Sequence, residues 1–192
     1  MFRKPKSQIL QTERLTLRLP EARDFSQWEA VRRASMAFLE PWEPVRDGAY
    51  LTRRSFQNRA VWAKRSAKDR RGYNMLIFRH EDGQLVGGIT LDNMQGGVSK
   101  SCTVGYWMGE EFTRQGYMTE ALNASVLHAF TVLDLSRVQA GCLPENAPSR
   151  ALLEKSGFKY EGVAQSYLQI AGRWRNHVLY ANLRRDRRGR TD

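Results

Sequence analysis

The spacing of apolar positions changes twice along the chain. From Glu13 to Pro20 the leucines alternate at Leu15, Leu17 and Leu19, the period of a half-buried strand, and Pro20 ends it. Asp24, with Gln27 three residues on, predicts a capped helix starting at Phe25. That helix turns Phe25, Trp28 and Val31 inward and runs toward Leu39. Pro41 and Pro44 bracket Trp42 and Glu43, so the PWEP segment is expected to be an extended or turning loop. A second helix is predicted over about 50–69. There Phe56, Ala60, Ala63 and Ala67 follow at helical spacing, away from much of a set of arginines.

Period two then takes over. Residues 72–79 and 84–94 read as strands joined by a turn at Glu81-Asp82-Gly83. Gly96-Gly97 marks another turn, and 102–108 is the next strand. A loop at 109–116 leads into an amphipathic helix over about 117–133, with Ala121, Leu122, Val126, Ala129, Phe130 and Leu133 on one stripe. A strand at 136–142 follows. Asn146 is placed to cap a helix that has Pro148 in its first turn and closes at Gly157. Strands at about 158–168 and 174–184 meet at Ala171-Gly172. This order predicts a mixed α/β (α+β) fold with one central sheet, forming one domain over 1–192.

Composition narrows the class. The chain has 192 residues, 41% hydrophobic and 27% charged, which is ordinary globular usage and excludes collagen, coiled-coil and low-complexity chains. No apolar run approaches the roughly 20 residues of a membrane span, so no membrane association is expected. The opening MFRKPKSQIL has basic residues with no apolar segment behind them, unlike a secretory signal. Cys102 and Cys142 are too few for a disulfide framework or a four-cysteine zinc site. They are expected to be buried, reduced thiols of a cytoplasmic protein. His80, His128 and His177 have no metal-ligand spacing, so no metal is expected.

The net charge of +11 is concentrated. Residues 53–71 hold Arg53, Arg54, Arg59, Lys64, Arg65, Lys68, Arg70 and Arg71 against Asp69 alone. Residues 184–190 hold Arg184, Arg185, Arg187, Arg188 and Arg190 against Asp186. Together the two segments account for the whole excess. They are either a solvated helix face and tail, or a docking surface for RNA phosphate, which guanidinium groups bind two oxygens at a time.

The segment richest in chemistry is GYWMGEEFTRQGYMTEAL, Gly105–Leu122. A strand ends at Met108, a polar loop follows, and a helix opens near Gly116. A helix start has unpaired N–H groups and the positive end of the dipole, which together suit an anion such as phosphate. Gly116 allows close approach to the backbone, and Arg114 adds a fixed positive charge. Neither a Walker loop nor a dinucleotide G-x-G-x-x-G is present.

This arrangement resembles the acetyl-CoA loop of the GCN5-related N-acetyltransferase superfamily, whose pattern is Gln/Arg-x-x-Gly-x-Gly/Ala. Four further segments are similar to one branch of it: Thr12-Glu13-Arg14-Leu15 with Leu17-Arg18; Phe38 through Pro44; Asn146 through Ser149 with Gly157-Phe158; and Gly172 through His177. Together they resemble the ribosomal-protein-alanine N-acetyltransferases of the RimJ and RimL type over about 12–184, leaving a basic tail at 184–192. Thr113 and Met118 stand where the family pattern has Gln/Arg and Gly/Ala. No Glu precedes Gly105, and Ser166 stands near Tyr167 where some relatives are acidic.

The resemblance implies a mostly antiparallel mixed sheet flanked by helices, with splayed strands where acetyl-CoA, the co-substrate, binds. It implies main-chain contacts from Trp107 and Met108, and a pyrophosphate cradle of Arg114, Gln115, Gly116, Tyr117, Met118 and Thr119. Asn146 joins the cofactor residues. Ser149 is the candidate acid at the departing thiolate; the alternative is a helix-start hydroxyl that only bonds backbone. Glu43, Asp92 and Glu120 are candidate bases, with Glu43 preferred because PWEP resembles a substrate-side loop. The implied acceptor is the N-terminus of a ribosomal protein. Its α-amine has a pKa near 8 against about 10.4 for lysine, so preparing a lysine requires about 3 kcal/mol more. A ribosome- or RNA-associated factor with a degenerate acetyl-CoA site, or an enzyme for a small-molecule amine, are the alternatives.

Overall fold

The computed structural model describes residues 10–187. Two short strands, β1 (Leu10–Gln11) and β2 (Leu15–Arg18), are followed by α1 (Phe25–Ala34), a single turn α2 (Met36–Leu39) and α3 (Arg53–Lys68). Next come β3 (Tyr73–Arg79), β4 (Leu85–Gln95) and β5 (Ser101–Met108), then α4 (Tyr117–Thr131). The chain continues through β6 (Arg137–Cys142), α5 (Ala147–Lys155), β7 (Lys159–Ile170) and β8 (Arg173–Leu183). The strands form one eight-stranded sheet in the order β1-β2-β3-β4-β5-β6-β8-β7. Every pairing is antiparallel except β5 with β6, which is parallel.

Leu76, Ile77 and Phe78 are buried one after another on β3. Since successive strand residues face opposite sides, both faces of the sheet are covered there. Helices α1 and α3 pack on β4 and β3, whereas α4 packs on β4 and β6 and α5 on β6 and β7. On α3 the buried set is Phe56, Ala60, Ala63 and Ser66, with Ala67 only half-buried, so the inward stripe ends one residue earlier than the alanine spacing predicts.

Two local expectations are corrected. Helix α1 starts at Phe25, but Asp24 does not cap it. Asp24 is buried and takes both guanidinium nitrogens of Arg18 at 2.7 Å and the Glu21 N–H. That bond leads the contributions that raise the Arg18 pKa. Gln27 instead accepts the Leu85 N–H at 2.8 Å, tying α1 to the start of β4. The helix also breaks at Ser35, whose buried hydroxyl accepts the N–H of Glu110 from the loop after β5 at 2.9 Å. The PWEP segment is the turning and extended stretch that its prolines predict: Glu40–Trp42 make a 3-10 turn and Glu43 is extended.

Candidate active site

The sheet parts in one place. Strand β5 pairs with β6 only through Ser101, Cys102 and Thr103, opposite Arg137, Val138 and Gln139. From Val104 onward β5 is held by β4 alone, while β6 continues along β8 as far as Cys142. A gap therefore opens beside Tyr106, Trp107 and Met108, with unpaired β5 main chain on one side. Tyr106 crosses it: its hydroxyl lies 2.8 Å from the Ser149 hydroxyl on α5.

Beyond the gap lies the 113–118 loop. Arg114 has φ 61° and Gly116 φ 81°, and Gly116 is the N-cap residue of α4. Both are left-handed conformations, which only glycine adopts freely. The N–H of Thr113 bonds Glu110 and that of Glu120 bonds Gly116. Between them, the backbone N–H groups of residues 114 to 119 have no hydrogen-bond partner among the described residues. This fits a pyrophosphate, which a helix start binds through such donors.

The loop is braced from β2. Arg14 donates to the Gln115 carbonyl at 3.1 Å and to Glu120 at 2.7 Å, and stacks 4.7 Å from the centre of the buried Tyr117 ring. Glu120 also accepts from the Thr12 hydroxyl and the Arg14 N–H. A Cβ on Gly116 would come within 3.3 Å of Arg14 Nη2. Arg114 is exposed, Gln115 donates to the Glu111 carbonyl, and Met118 and Thr119 are half-buried. Glu120, one of the candidate bases, is thus engaged in fixing the loop.

Asn146 caps α5, its side-chain oxygen accepting the Ser149 N–H at 3.1 Å. The Ser149 hydroxyl bonds a side chain, not backbone. Burial raises the pKa of Cys142 and of Tyr106, in each case against the nearby Ser149 hydroxyl. Both therefore keep their protons. Sequence reasoning did not single out Tyr106, although its Gly-Tyr context at the end of β5 was visible.

On the other side of Trp107 is a chamber of about 270 Å³. Its walls include Trp28, Tyr50, Phe56, Trp62, Asn74 and Trp107. Gly88 pairs with Trp107, and a Cβ there would sit 2.4 Å from the indole nitrogen, so glycine leaves room for the ring. Glu43 is the single carboxylate in the lining and is held by both terminal guanidinium nitrogens of the buried Arg32. Burial works to lower the Arg32 pKa, but the Glu43 bond and the fields of Tyr50 and Glu43 raise it overall. Asp92, the remaining candidate base, bonds the N–H of Asn93 and is not in the lining. Arg32, Tyr50, Arg59 and Asn74 were not anticipated, because they come from separate elements and share no motif.

The basic segments differ in their commitments. On α3, Arg53 stacks on Phe25 and Arg59 on Trp28 and Tyr50, while Arg71 pairs with Asp69. In the tail, Arg184 and Arg187 both reach Asp134, which also takes Lys100. Hydrogen bonds from Lys100 and Arg187 hold the Asp134 carboxyl well below its ordinary range. These two arginines fasten residues 184–187 to the α4–β6 turn. Arg188 and Arg190 lie outside the described residues. His80 bonds the Thr16 hydroxyl, His128 packs edge-on to Tyr73, and His177 is buried beside Tyr167. Among the described residues no helix is long and apolar enough to cross a membrane.

Comparison with known proteins bears on this geometry. The acetyltransferase (GNAT) domain profile matches residues 14–159. The [ribosomal protein uS5]-alanine N-acetyltransferase of Escherichia coli (strain K12) is 33% identical over 172 residues, covering 90% of this chain and 89% of that protein. A probable N-acetyltransferase, YjcK of Bacillus subtilis (strain 168), is 30% identical over 179 residues, 93% of this chain and 98% of its own. Among solved structures, Mycobacterium smegmatis RimJ in complex with CoA-disulfide aligns with a TM-score of 0.85 at 34% identity, covering 91% of this chain and 84% of that one.

Proposed function

Because the chain belongs to the acetyltransferase (GNAT) family and is an N-acetyltransferase, we propose that it acetylates the N-terminal α-amine of a ribosomal protein, with acetyl-CoA as co-substrate. The observation that carries the reading is the run of unpartnered N–H groups at 114 to 119, opening beside the gap between β5 and β6. Those amides and Arg114 receive the pyrophosphate, and Gly116 lets it approach. Gln115, Tyr117, Met118 and Thr119 shape the cradle, while the main chain of Trp107 and Met108 pairs with the pantetheine arm. Asn146, by capping α5, fixes where Ser149 stands. Acetyl-CoA supplies the activated acetyl thioester when bound.

The chain's own residues manage the protons. As the amine nitrogen bonds to the acetyl carbon and the carbon–sulfur bond breaks, the amine's proton passes to Glu43, directly or through water. Arg32 orients that carboxylate, and each oxygen keeps a lone pair. Ser149 gives its proton to the departing sulfur and takes one from the Tyr106 hydroxyl, and the proton held by Glu43 returns to Tyr106 through solvent, so every group ends as it began. The chamber's guanidinium groups lower the pKa of an amine entering it, since nearby positive charge disfavours the ammonium form. For an α-amine already near neutrality this suffices with a weak base.

The Escherichia coli relative, named for the alanine of uS5, supports a ribosomal acceptor, and this chain covers nearly all of it. The setting is the cytoplasm, where ribosomal proteins are made and where the free Cys102 and Cys142 stay reduced. The test is mass-spectrometric acetylation of ribosomal N-terminal peptides beside polyamines and aminoglycosides. Peptide α-acetylation is expected. Acetylation of the small amines alone would replace this reading, and absence of CoA binding would leave a degenerate site.

A further inference from the structure

The chamber beside Trp107 carries a charge imbalance that acetyl transfer alone does not require. Arg32, Arg46 and Arg59 line it with one carboxylate, Glu43. Arg32 occupies both Glu43 oxygens. Arg46 approaches Glu43 only at 3.8 Å and stacks 4.7 Å from the centre of the Tyr50 ring. Arg59 stacks on the same ring at 4.2 Å and on Trp28 at 4.6 Å, donates to the Tyr50 carbonyl, and has no carboxylate partner among the described residues.

Three guanidinium groups thus share one aromatic ring, since Arg32 also lies 5.4 Å from its centre. Burial lowers the Arg59 pKa, and the charges of Arg46 and Arg32 add to that against the fields of Tyr50 and Asp47. Two more donors in the lining residues are buried and unpartnered: Asn74 Nδ2 and Arg32 Nε. A desolvated cation or donor without a partner is costly, so the chamber gains most from a ligand bringing acceptor oxygens and negative charge. Glu43 offsets one of the three arginines and the field of Asp47 reaches Arg59, so a singly charged group suits the remainder, and a carboxylate matches the guanidinium fork.

We propose that this chamber selects acceptors with a carboxylate close behind the reacting amine: N-termini with Asp or Glu at the second or third residue. The inference rests on the reading that the acceptor amine enters past Trp107, whose strand borders the gap and whose indole lies 4.8 Å from the Arg32 guanidinium. The same field disfavours lysine-rich N-termini and polycationic amines.

The test uses the full chain with peptides that begin with Ala and carry Glu, Gln or Lys at positions two and three. Turnover is read by mass spectrometry. Binding of the corresponding N-acetylated peptides in the presence of CoA is read by calorimetry. The Glu peptide should exceed the Gln peptide by about tenfold in kcat/KM, and the Lys peptide by more. Arg46→Glu lies on an exposed loop, so it should keep CoA affinity while inverting the order. Arg59→Gln should flatten it. Equal kcat/KM for all three peptides, or an order unchanged in Arg46→Glu, would overturn the proposal. If CoA binds but no peptide is acetylated, the α-amine reading fails by itself. The binding series still decides the charge preference, and equal affinities for the Glu and Lys peptides would end it.

Discussion

The hydroxyls of Tyr106 and Ser149 lie 2.8 Å apart, joining β5 to the first turn of α5 across the gap in the sheet. Each group comes from a different side of the opening, and each is placed by a separate device. Tyr106 is set by the β4 pairing, and Ser149 by the Asn146 cap.

Tyr106→Phe and Ser149→Ala are therefore expected to lower kcat by similar factors, about 10- to 100-fold, with little change in CoA affinity. Because the two act as one relay, the double variant should be little worse than either single one. Steady-state kinetics with calorimetry check this. Full additivity, or a loss confined to KM, would assign Ser149 to binding or to the helix start.

The phosphate cradle gives a second expectation. Gly116→Pro removes a donor and blocks approach, so a folded variant should not bind CoA. Gly116→Ala is milder: it strains a residue at φ 81° and crowds Arg14 at 3.3 Å. Arg114→Ala should weaken binding by about 1–2 kcal/mol, one exposed charge-assisted contact. Calorimetric titration with CoA reads all three.

Much of this was legible in the sequence because it is local. Leucine alternation, the turn residues Glu81-Asp82-Gly83, and the helix start at Asn146 and Pro148 each act over a few residues, and the structure places elements where they point. The strand, the polar loop and the glycine at the helix start of α4 were legible too, since they are contiguous. The chamber was not. Arg32 sits on α1, Tyr50 in a loop, Arg59 on α3 and Asn74 on β3, and only the sheet brings them together. Asp24 misled for a related reason. Its capping pattern is genuine, but the half-buried Arg18 competes for the carboxylate with a two-pronged bond.

Glu120 predicts a pH effect. Burial acts to raise its pKa, but bonds from the Thr12 hydroxyl, the Arg14 N–H and the Arg14 guanidinium outweigh this and hold it below the ordinary 4.5. A carboxylate depressed in the folded state adds stability above its unfolded pKa, and the gain is lost as pH falls through the folded value. Glu120→Gln should therefore lower the melting temperature at pH 7, by roughly 1 kcal/mol of stability given the exposed Arg14 side. The gap to wild type should narrow as pH falls below 4.5. A gap that persists unchanged at pH 3 would mean that Glu120 contributes by packing, not charge.

The last prediction concerns the basic face of α3. Arg54, Lys64, Arg65 and Lys68 are exposed and have no acidic partner among the described residues. At 3.6 residues per turn they fall within an arc of about 100°, so they can meet one phosphate backbone together. Arg53, Arg59 and Arg71 are engaged elsewhere, as are Arg184 and Arg187. If the free stripe docks ribosomal RNA, replacing its four residues with Gln should weaken binding to ribosomal particles and reduce the salt slope by about 3, since each phosphate contact contributes somewhat less than one. Acetylation of a free N-terminal peptide involves no RNA and should not change. Salt titration of particle binding beside peptide turnover separates the two. Equal slopes for wild type and variant would make the stripe a solvated helix face, leaving the chamber at Trp107 as the part of the surface that chooses the acceptor.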